Sequence, residues 1–154
     1  MAKKSAGILA YRYRAQQTEV LLVHPGGPFY KNKDLGAWSI PKGEYEEDEN
    51  PLYVAQREFK EETGNLIEGK FIPLTPIKIK SGKVISCWAV EADIPQPFIS
   101  SNYFEMEWPP KSGKMQSFPE VDKAEWFEIE LAMEKILTSQ SGFIKELIGI
   151  LSAS

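Results

Sequence analysis

The chain has 154 residues, 42% of them hydrophobic and 26% charged, with a formal net charge of −4 at pH 7. That length fits one domain, residues 1–154, with room for a real core, and the composition is that of a soluble globular protein. The acidic balance argues against a role in coating nucleic acid, no apolar run approaches a membrane span, and Met1-Ala2-Lys3-Lys4-Ser5 lacks the apolar stretch of a leader peptide. A small phosphorylated ligand stays compatible with the charge, because a bound metal ion can carry the missing positive charge. Cys87 is the only cysteine and His24 the only histidine. These counts exclude an intrachain disulfide, a thiolate metal cluster and a multi-histidine zinc site, and they point to a reducing, cytoplasmic setting.

From the N-terminus, Ser5 to Arg14 and Glu19 to Val23 are β-rich runs separated by the polar Ala15-Gln16-Gln17-Thr18, which reads as a hairpin. His24 to Gly36 is a loop rich in glycine, proline and lysine. Its Phe29 and Tyr30 have neighbours unable to bury them, so they either pack locally or stack on a base. His24 either contacts a ligand from this loop or is a strand-end residue without a role. Ala37-Trp38-Ser39-Ile40 is a short strand that delivers Pro41-Lys42-Gly43 to an acidic stretch.

Asn50-Pro51 then combines a helix N-cap with a first-turn proline, and Thr63-Gly64 supplies a glycine stop, so a helix is expected over about Pro51 to Thr63. Beyond it lie Phe71-Ile72 and a second hairpin, Ile77 to Lys80 and Val84 to Ala92, turning at Ser81-Gly82. Cys87 falls in its second strand and reads as a core thiol. Ser101 to Trp108 alternates aromatic and acidic residues and stops at Pro109-Pro110. Lys111-Ser112-Gly113-Lys114 is a basic loop, either a phosphate contact or a plain turn. Phe118-Pro119-Glu120-Val121-Asp122 leads into a strand, Ala124 to Phe127. Two helices close the chain, about Glu130 to Leu137 and Gly142 to Leu151. Leu131, Ile136, Phe143, Ile144, Leu147, Ile150 and Leu151 are spaced as core residues. Strands on both sides of one central helix, with helices at the end, suggest a mixed sheet between helical layers.

The central helix carries the chemistry. Residues three and four apart share a face, so Glu58, Glu61 and Glu62 project from one side, while Leu52, Ala55 and Phe59 form an apolar stripe roughly 100° away. Three clustered carboxylates repel one another, and a hard divalent cation, Mg²⁺ or Mn²⁺, lets them stay ionised. A helix with three glutamates can equally be a solvated face. Here, however, the helix belongs to a longer string: Gly43, five residues, Glu49, seven residues, then Arg57-Glu58-Phe59-Lys60-Glu61-Glu62-Thr63-Gly64.

This string resembles the Nudix box, Gly-x5-Glu-x7-Arg-Glu-U-x-Glu-Glu-x-Gly-U, where U is a bulky apolar residue. The final U is Asn65, followed by Leu66, a departure that bears on how the chain packs after the helix. SAGILAYR, WSIPKGE and PEVDKAEWF are also similar to Nudix segments. Trp38 ahead of PKGE is similar to the branch that includes dinucleoside tetraphosphate hydrolases. VHPGGPF and MEWPP resemble a bacterial group of predicted nucleoside triphosphate pyrophosphohydrolases.

The resemblance implies an α/β fold, the Nudix-type α/β/α sandwich with a mixed β-sheet. It also implies Mg²⁺- or Mn²⁺-dependent hydrolysis of a diphosphate bond in a nucleoside diphosphate linked to another group, a dinucleoside polyphosphate or a nucleoside triphosphate. By the same resemblance Glu58 and Glu62 are the principal metal ligands and Glu61 a further ligand or water-orienting carboxylate, with the carbonyl of Gly43 reaching the ion. Arg57 holds a glutamate in place and Glu49 supports it. Glu58, Glu61 and Glu120 are the candidates for the general base, with Glu105 and Glu107 weaker ones. Lys42 either pairs with a phosphate or serves the loop, and Phe29 and Tyr30 are candidates to meet the base of the nucleotide. The alternative is a non-catalytic nucleotide-binding or regulatory Nudix module. A small-molecule nucleotide is the expected partner, and either a monomer or a homodimer is compatible with the sequence.

Overall fold

The computed structural model describes residues 3–153; Met1, Ala2 and Ser154 lie outside the described residues, so the reading of the Met1–Ser5 stretch falls partly outside them. The first hairpin forms from β1 (Lys4–Arg14) and β2 (Gln17–Pro25). Arg14 pairs directly with Gln17, so the turn is two residues, Ala15 and Gln16, and not the four expected. Both carry positive φ, 49° and 68°, the conformation a two-residue hairpin turn needs to match strand twist, here imposed on residues other than glycine.

Further strands are β3 (Lys42–Tyr45), β4 (Ile72–Pro73), β5 (Ile77–Lys78), β6 (Val84–Glu91), β7 (Tyr103–Glu107), β8 (Met115–Pro119) and β9 (Val121–Glu128). Seven of the nine form one sheet ordered β4-β6-β1-β2-β9, with β3 beside β1 and β5 beside β6. β1 and β6 run parallel and the other pairs antiparallel, so the sheet is mixed. The expected second hairpin is present as β5–β6, turning at Gly82. Ala37 to Ile40 is not a strand: it holds only isolated bridges, Val23 with Ser39 and Trp38 with Ile136.

Alternation along β1 and β2 divides the core. Leu9, Tyr11, Val20 and Leu22 face one side, where they pack with Trp38, Ala132, Ile136, Phe143, Ile144 and Leu147. Ala6, Ile8, Ala10, Leu21 and Val23 face the other, against Val54, Ala55 and Phe59. The second group belongs to α1 (Pro51–Thr63), and the first side is covered by α2 (Ile129–Lys135) and α3 (Ser141–Ser152). The result is the expected sandwich, with a period-two sheet burying both faces under helices. The apolar stripe of α1 differs in detail from the expectation, since Val54 is fully buried while Leu52 only flanks the core. Leu131 stays 37% exposed, and Ala132 takes the inward position on α2. Cys87 is a buried core thiol, pushed well above its ordinary pKa by burial. Among the described residues no helix is long and apolar enough to cross a membrane.

The unforeseen element is the β7–β8 pair, a separate two-stranded arm. Phe104 lies opposite Phe118 and Glu107 opposite Met115 across it. Its tip is the Lys111–Lys114 stretch, where the Glu107 carboxylate accepts hydrogen bonds from the backbone of Lys111 (3.0 Å) and Gly113 (3.1 Å). The basic loop is therefore a capped hairpin turn, and Glu107 is its cap.

α1 ends as its sequence dictates. Asn50 accepts from Tyr53 N at its start, and Gly64 adopts φ 83° at its end, returning its N–H to Lys60 O. A Cβ at Gly64 would also sit 2.8 Å from Ile99 Cβ and Ser100 Oγ, whereas one at Gly82, with φ 92°, would meet nothing within 4 Å. Gly82→Ala is expected to lose about 1–2 kcal/mol from the left-handed backbone alone. Gly64→Ala is expected to lose about 1–3 kcal/mol more, because the 99–100 segment must also move. Urea unfolding of the two variants measures the difference.

Candidate functional site

The box helix and β3 meet because β3 is held against β1, with Gly43 opposite Ala6. A Cβ at Gly43 would overlap the Glu58 carboxyl, so only glycine lets this strand approach the helix so closely. The backbone N–H of the next residue back, Lys42, donates to the carboxylate of Glu62, which is 8% exposed. Gly43 thus serves as a space in which a glutamate side chain lies.

Four carboxylates converge at this junction. Burial first, then the proximity of Glu58 and Glu120, pushes Glu62 up to about 9, with Lys42 opposing. Burial, a hydrogen bond with the Glu61 carboxyl and the charges of Glu61 and Glu120 push Glu58 up to about 7, with Arg57 opposing. Crowding of this kind favours the protonated form of Glu58. Among the described residues no three histidine, cysteine, aspartate or glutamate side chains are already gathered at ligand distance. The donor set nonetheless suits a hard divalent ion. It consists of carboxylate oxygens alone, it is short of positive charge, and the Gly43 backbone lies against it.

Arg57 stands on the outer flank. Its Nη1 lies 3.3 Å from Glu49 Oε2 and its Nε 3.9 Å from Glu61 Oε1, so it bridges the loop before the helix to a box carboxylate. Glu49 also accepts from Glu46 N at 2.8 Å; that bond first, and Arg57 second, hold its carboxyl below the usual range. Lys42 is lowered from its ordinary value chiefly by burial and secondarily by Lys83, against the pull of Glu62, Glu44 and Glu58.

Glu120 comes from far along the chain, at the junction of β8 and β9, and a run of backbone bonds carries it to the box. Asn102 N donates to Glu61 O (2.9 Å), Glu120 N to Asn102 O (2.9 Å), and Gly26 N to Glu120 O (2.9 Å). Upstream, Ile99 N bonds Thr63 O, and Asn65 Nδ2 donates to Gln96 O at 2.9 Å. The departure from the box pattern at Asn65 is thereby accounted for: its amide ties the 96–102 segment to the end of α1. Ile67, 4% exposed, takes the apolar place, while Leu66 is 74% exposed.

Val23, Pro25, Tyr30, Ala37, Ser39, Ile40, Lys42, Glu62, Glu120, Val121 and Leu137 line a cavity of about 270 Å³ at this junction. Tyr30 therefore faces the carboxylates, with Lys33 Nζ 5.5 Å from its ring centre. Phe29 points elsewhere, edge-on to Trp108 at 5.3 Å. Glu105 is exposed on the arm.

Two residues, His24 and the previously unremarked Gln140, hold this architecture. His24 is 1% exposed. Its Nδ1 lies 2.8 Å from Asp122 Oδ1 and its Nε2 2.6 Å from the Lys33 carbonyl oxygen. His24 is thus neither a ligand contact nor idle; it fastens the 26–36 loop to the strand that follows Glu120. Gln140, also 1% exposed, accepts from Ile40 N (3.0 Å) and donates to Ser39 Oγ (3.2 Å). It fixes the segment entering Lys42. No spacing rule announces either pairing, since the partners lie 98 and 100 residues apart.

Glu58 and Glu62 hold protons in the folded chain that they release in the unfolded chain above about 4.5. The metal-free protein is therefore expected to lose stability as pH rises from about 4.5 towards about 9. Divalent-ion binding competes with those protons, so the thermal shift given by Mg²⁺ is expected to be small at pH 5.5 and larger at pH 8.5. Differential scanning fluorimetry at the two pH values, with and without the ion, reads this out; an equal shift at both would contradict the crowding of the carboxylates.

The NUDIX domain family model matches residues 3–147. No curated protein sequence matches the chain. Similar solved structures include a binary complex of the Ap4A hydrolase of C. elegans, 21% identical, covering 99% of this chain and 100% of that one, with a TM-score of 0.67. The NUDIX domain of Shewanella oneidensis NrtR, complexed with ADP ribose, is 18% identical over 98% of this chain and 89% of its own, with a TM-score of 0.66. A mutT/nudix family protein from Listeria innocua is 15% identical over 98% and 94%, also at 0.66. At these identities the structures share the fold, while the box Gly43 to Gly64 and the model spanning nearly the whole chain carry the assignment. The chain belongs to the NUDIX domain family and is a Nudix pyrophosphohydrolase.

Proposed function

We propose that this chain, with Mg²⁺ or Mn²⁺ bound, hydrolyses a diphosphate bond in a nucleoside diphosphate linked to another group, a dinucleoside polyphosphate or a nucleoside triphosphate. The observation that carries the reading is the convergence of Glu58, Glu61, Glu62 and Glu120, crowded enough to raise Glu58 to about 7 and Glu62 to about 9 beside an open cavity. A protein that merely displayed these glutamates to solvent would not bury one of them among the others. Nudix hydrolases generally use divalent cations, and this donor set is in keeping with one.

Glu58 and Glu62 are assigned as the main ligands, with Glu61 and the Gly43 carbonyl completing the set. A bound Mg²⁺ would neutralise phosphate oxygens and lower the pKa of water. Arg57 keeps Glu61 turned towards the site while Glu49 keeps Arg57 in place. Lys42, its ammonium destabilised by burial, gains a partner when a phosphate enters the cavity it lines. Tyr30 offers its ring at the cavity wall to the nucleotide. Glu120 is assigned as the general base. It is exposed to water, it stands on the opposite wall from the helix, and the Asn102 bridge fixes its distance from Glu61.

Glu120→Gln is expected to lower kcat roughly 10²- to 10⁴-fold while the Mg²⁺-induced thermal shift persists. Glu58→Gln and Glu62→Gln are expected to lose both turnover and that shift. Gly43→Ala, which places a methyl where the Glu58 carboxyl lies, is expected to raise the Mg²⁺ concentration needed for half-maximal activity. Phosphate and nucleotide products from a panel of dinucleoside polyphosphates, nucleoside triphosphates and nucleotide sugars, with and without Mg²⁺, test the activity itself. Binding of nucleotides without turnover on any of them would overturn the hydrolytic reading in favour of a binding module.

A further inference from the structure

A second cavity, of about 370 Å³, opens on the outer side of the box helix and shares no lining residue with the carboxylate cavity. Tyr53, Gln56, Arg57 and Lys60 form one wall, because residues three and four apart fall on one face of α1. Leu66, Ile67 and Glu68, the chain that turns back along the helix after Gly64, form the other. Gln56 Nε2 ties the two walls together by donating to Ile67 O at 3.3 Å.

The groups presented there are poorly matched to one another and to water. Tyr53 is 64% exposed and makes no ring contact among the described residues, and Leu66 on the other wall is exposed as well. Arg57 and Lys60 are like charges one turn apart, which repel. Lys60 has no ion-pair partner among the described residues. Arg57 makes one hydrogen bond, to Glu49, and its 3.9 Å approach to Glu61 is longer than a second; a guanidinium carries five N–H donors, so most of them are open. Glu68 and the Gln56 side-chain oxygen add acceptors. Ring surface, two adjacent cations and a carboxylate together match a nucleoside monophosphate, with its base on Tyr53 and Leu66, its phosphate on Arg57 and Lys60 and its ribose hydroxyls on Glu68. Inorganic phosphate alone would leave the tyrosine and the leucine unused.

We propose that this outer cavity is a regulatory site for a nucleoside monophosphate, acting on the box carboxylates through Arg57. Arg57 belongs to both places: it lines the outer cavity and faces Glu61. A phosphate that engages its open donors competes with Glu61 for them, and Glu61 then loses the partner that keeps it turned towards the site. Because the proposed hydrolysis releases nucleotides, a product can slow the enzyme without entering the catalytic cavity. That consequence rests on the hydrolytic reading above, whereas the binding site does not.

Isothermal titration calorimetry of the full chain with adenosine 5′-monophosphate, ribose 5-phosphate and inorganic phosphate tests the binding. The nucleotide is expected to bind most tightly of the three. Lys60→Ala and Tyr53→Ala, both at exposed positions, are each expected to weaken it about tenfold. Lys42→Met, in the catalytic cavity, is expected to leave that binding in place. Equal affinity for the nucleotide and inorganic phosphate would overturn the proposal, as would nucleotide binding abolished by Lys42→Met and untouched by Lys60→Ala and Tyr53→Ala. With a substrate that turns over in Mg²⁺, added adenosine 5′-monophosphate is expected to lower kcat in the wild type and to act only on KM in Lys60→Ala. An effect on KM alone in the wild type would overturn the coupling through Arg57. Should no substrate turn over, the hydrolytic reading fails and calorimetry alone decides the outer cavity.

Discussion

The structure turns on a crowding of carboxyl groups that folding creates and that raises the pKa of Glu58 and Glu62. Glu62 is almost fully withdrawn from water, beside Glu58 and within reach of Glu120, and its nearest positive neighbour, Lys42, is itself destabilised by burial. A buried carboxylate among carboxylates is an arrangement that stability alone would disperse. Its persistence means that the surrounding elements over-determine it. Strain of this sort at a functional site is commonly borne by a rigid scaffold.

That scaffold is visible in the restraints around α1. Asn50 and Gly64 fix its ends, Phe59 and Val54 anchor it to the sheet, and Gly43 allows β3 to lie against the Glu58 side chain. Each restraint removes a route by which a glutamate could swing out to water. Arg57 acts at the margin, where it is partly exposed and shared between Glu49 and Glu61, so it steers a carboxylate without neutralising the cluster.

The far wall of the site is built differently. Glu120 belongs to no helix, and its placement depends on backbone hydrogen bonds running from Glu61 through Asn102 to Gly26. His24 secures the same wall from behind, joining Asp122 to the loop that carries Phe29 and Tyr30. Of these two residues, adjacent in the chain, Tyr30 lines the carboxylate cavity while Phe29 lies edge-on to Trp108.

Local chemistry determined a large part of this protein from the sequence alone. The N-cap at Asn50, Pro51 at the first turn and Gly64 at the stop bound α1 to the residue, because each acts within four positions of itself. The same short range places Glu58, Glu61 and Glu62 on one edge and makes the box legible as a family mark. β-rich runs bounded by turn residues revealed β1, β2 and β6, though not that β1 and β6 lie parallel. The β7–β8 arm escaped as a pair because β8, Met115–Pro119, is mostly exposed and carries no alternating pattern to match that of β7. Whether Glu120 met the box, what His24 held, and what Gln140 fastened were decided only by the tertiary structure. Asp122 lies 98 residues from His24 and Gln140 100 from Ile40, and Glu120 reaches the box only through Asn102, so these hydrogen bonds exist only once the sheet has brought β2, β9 and the final helices together.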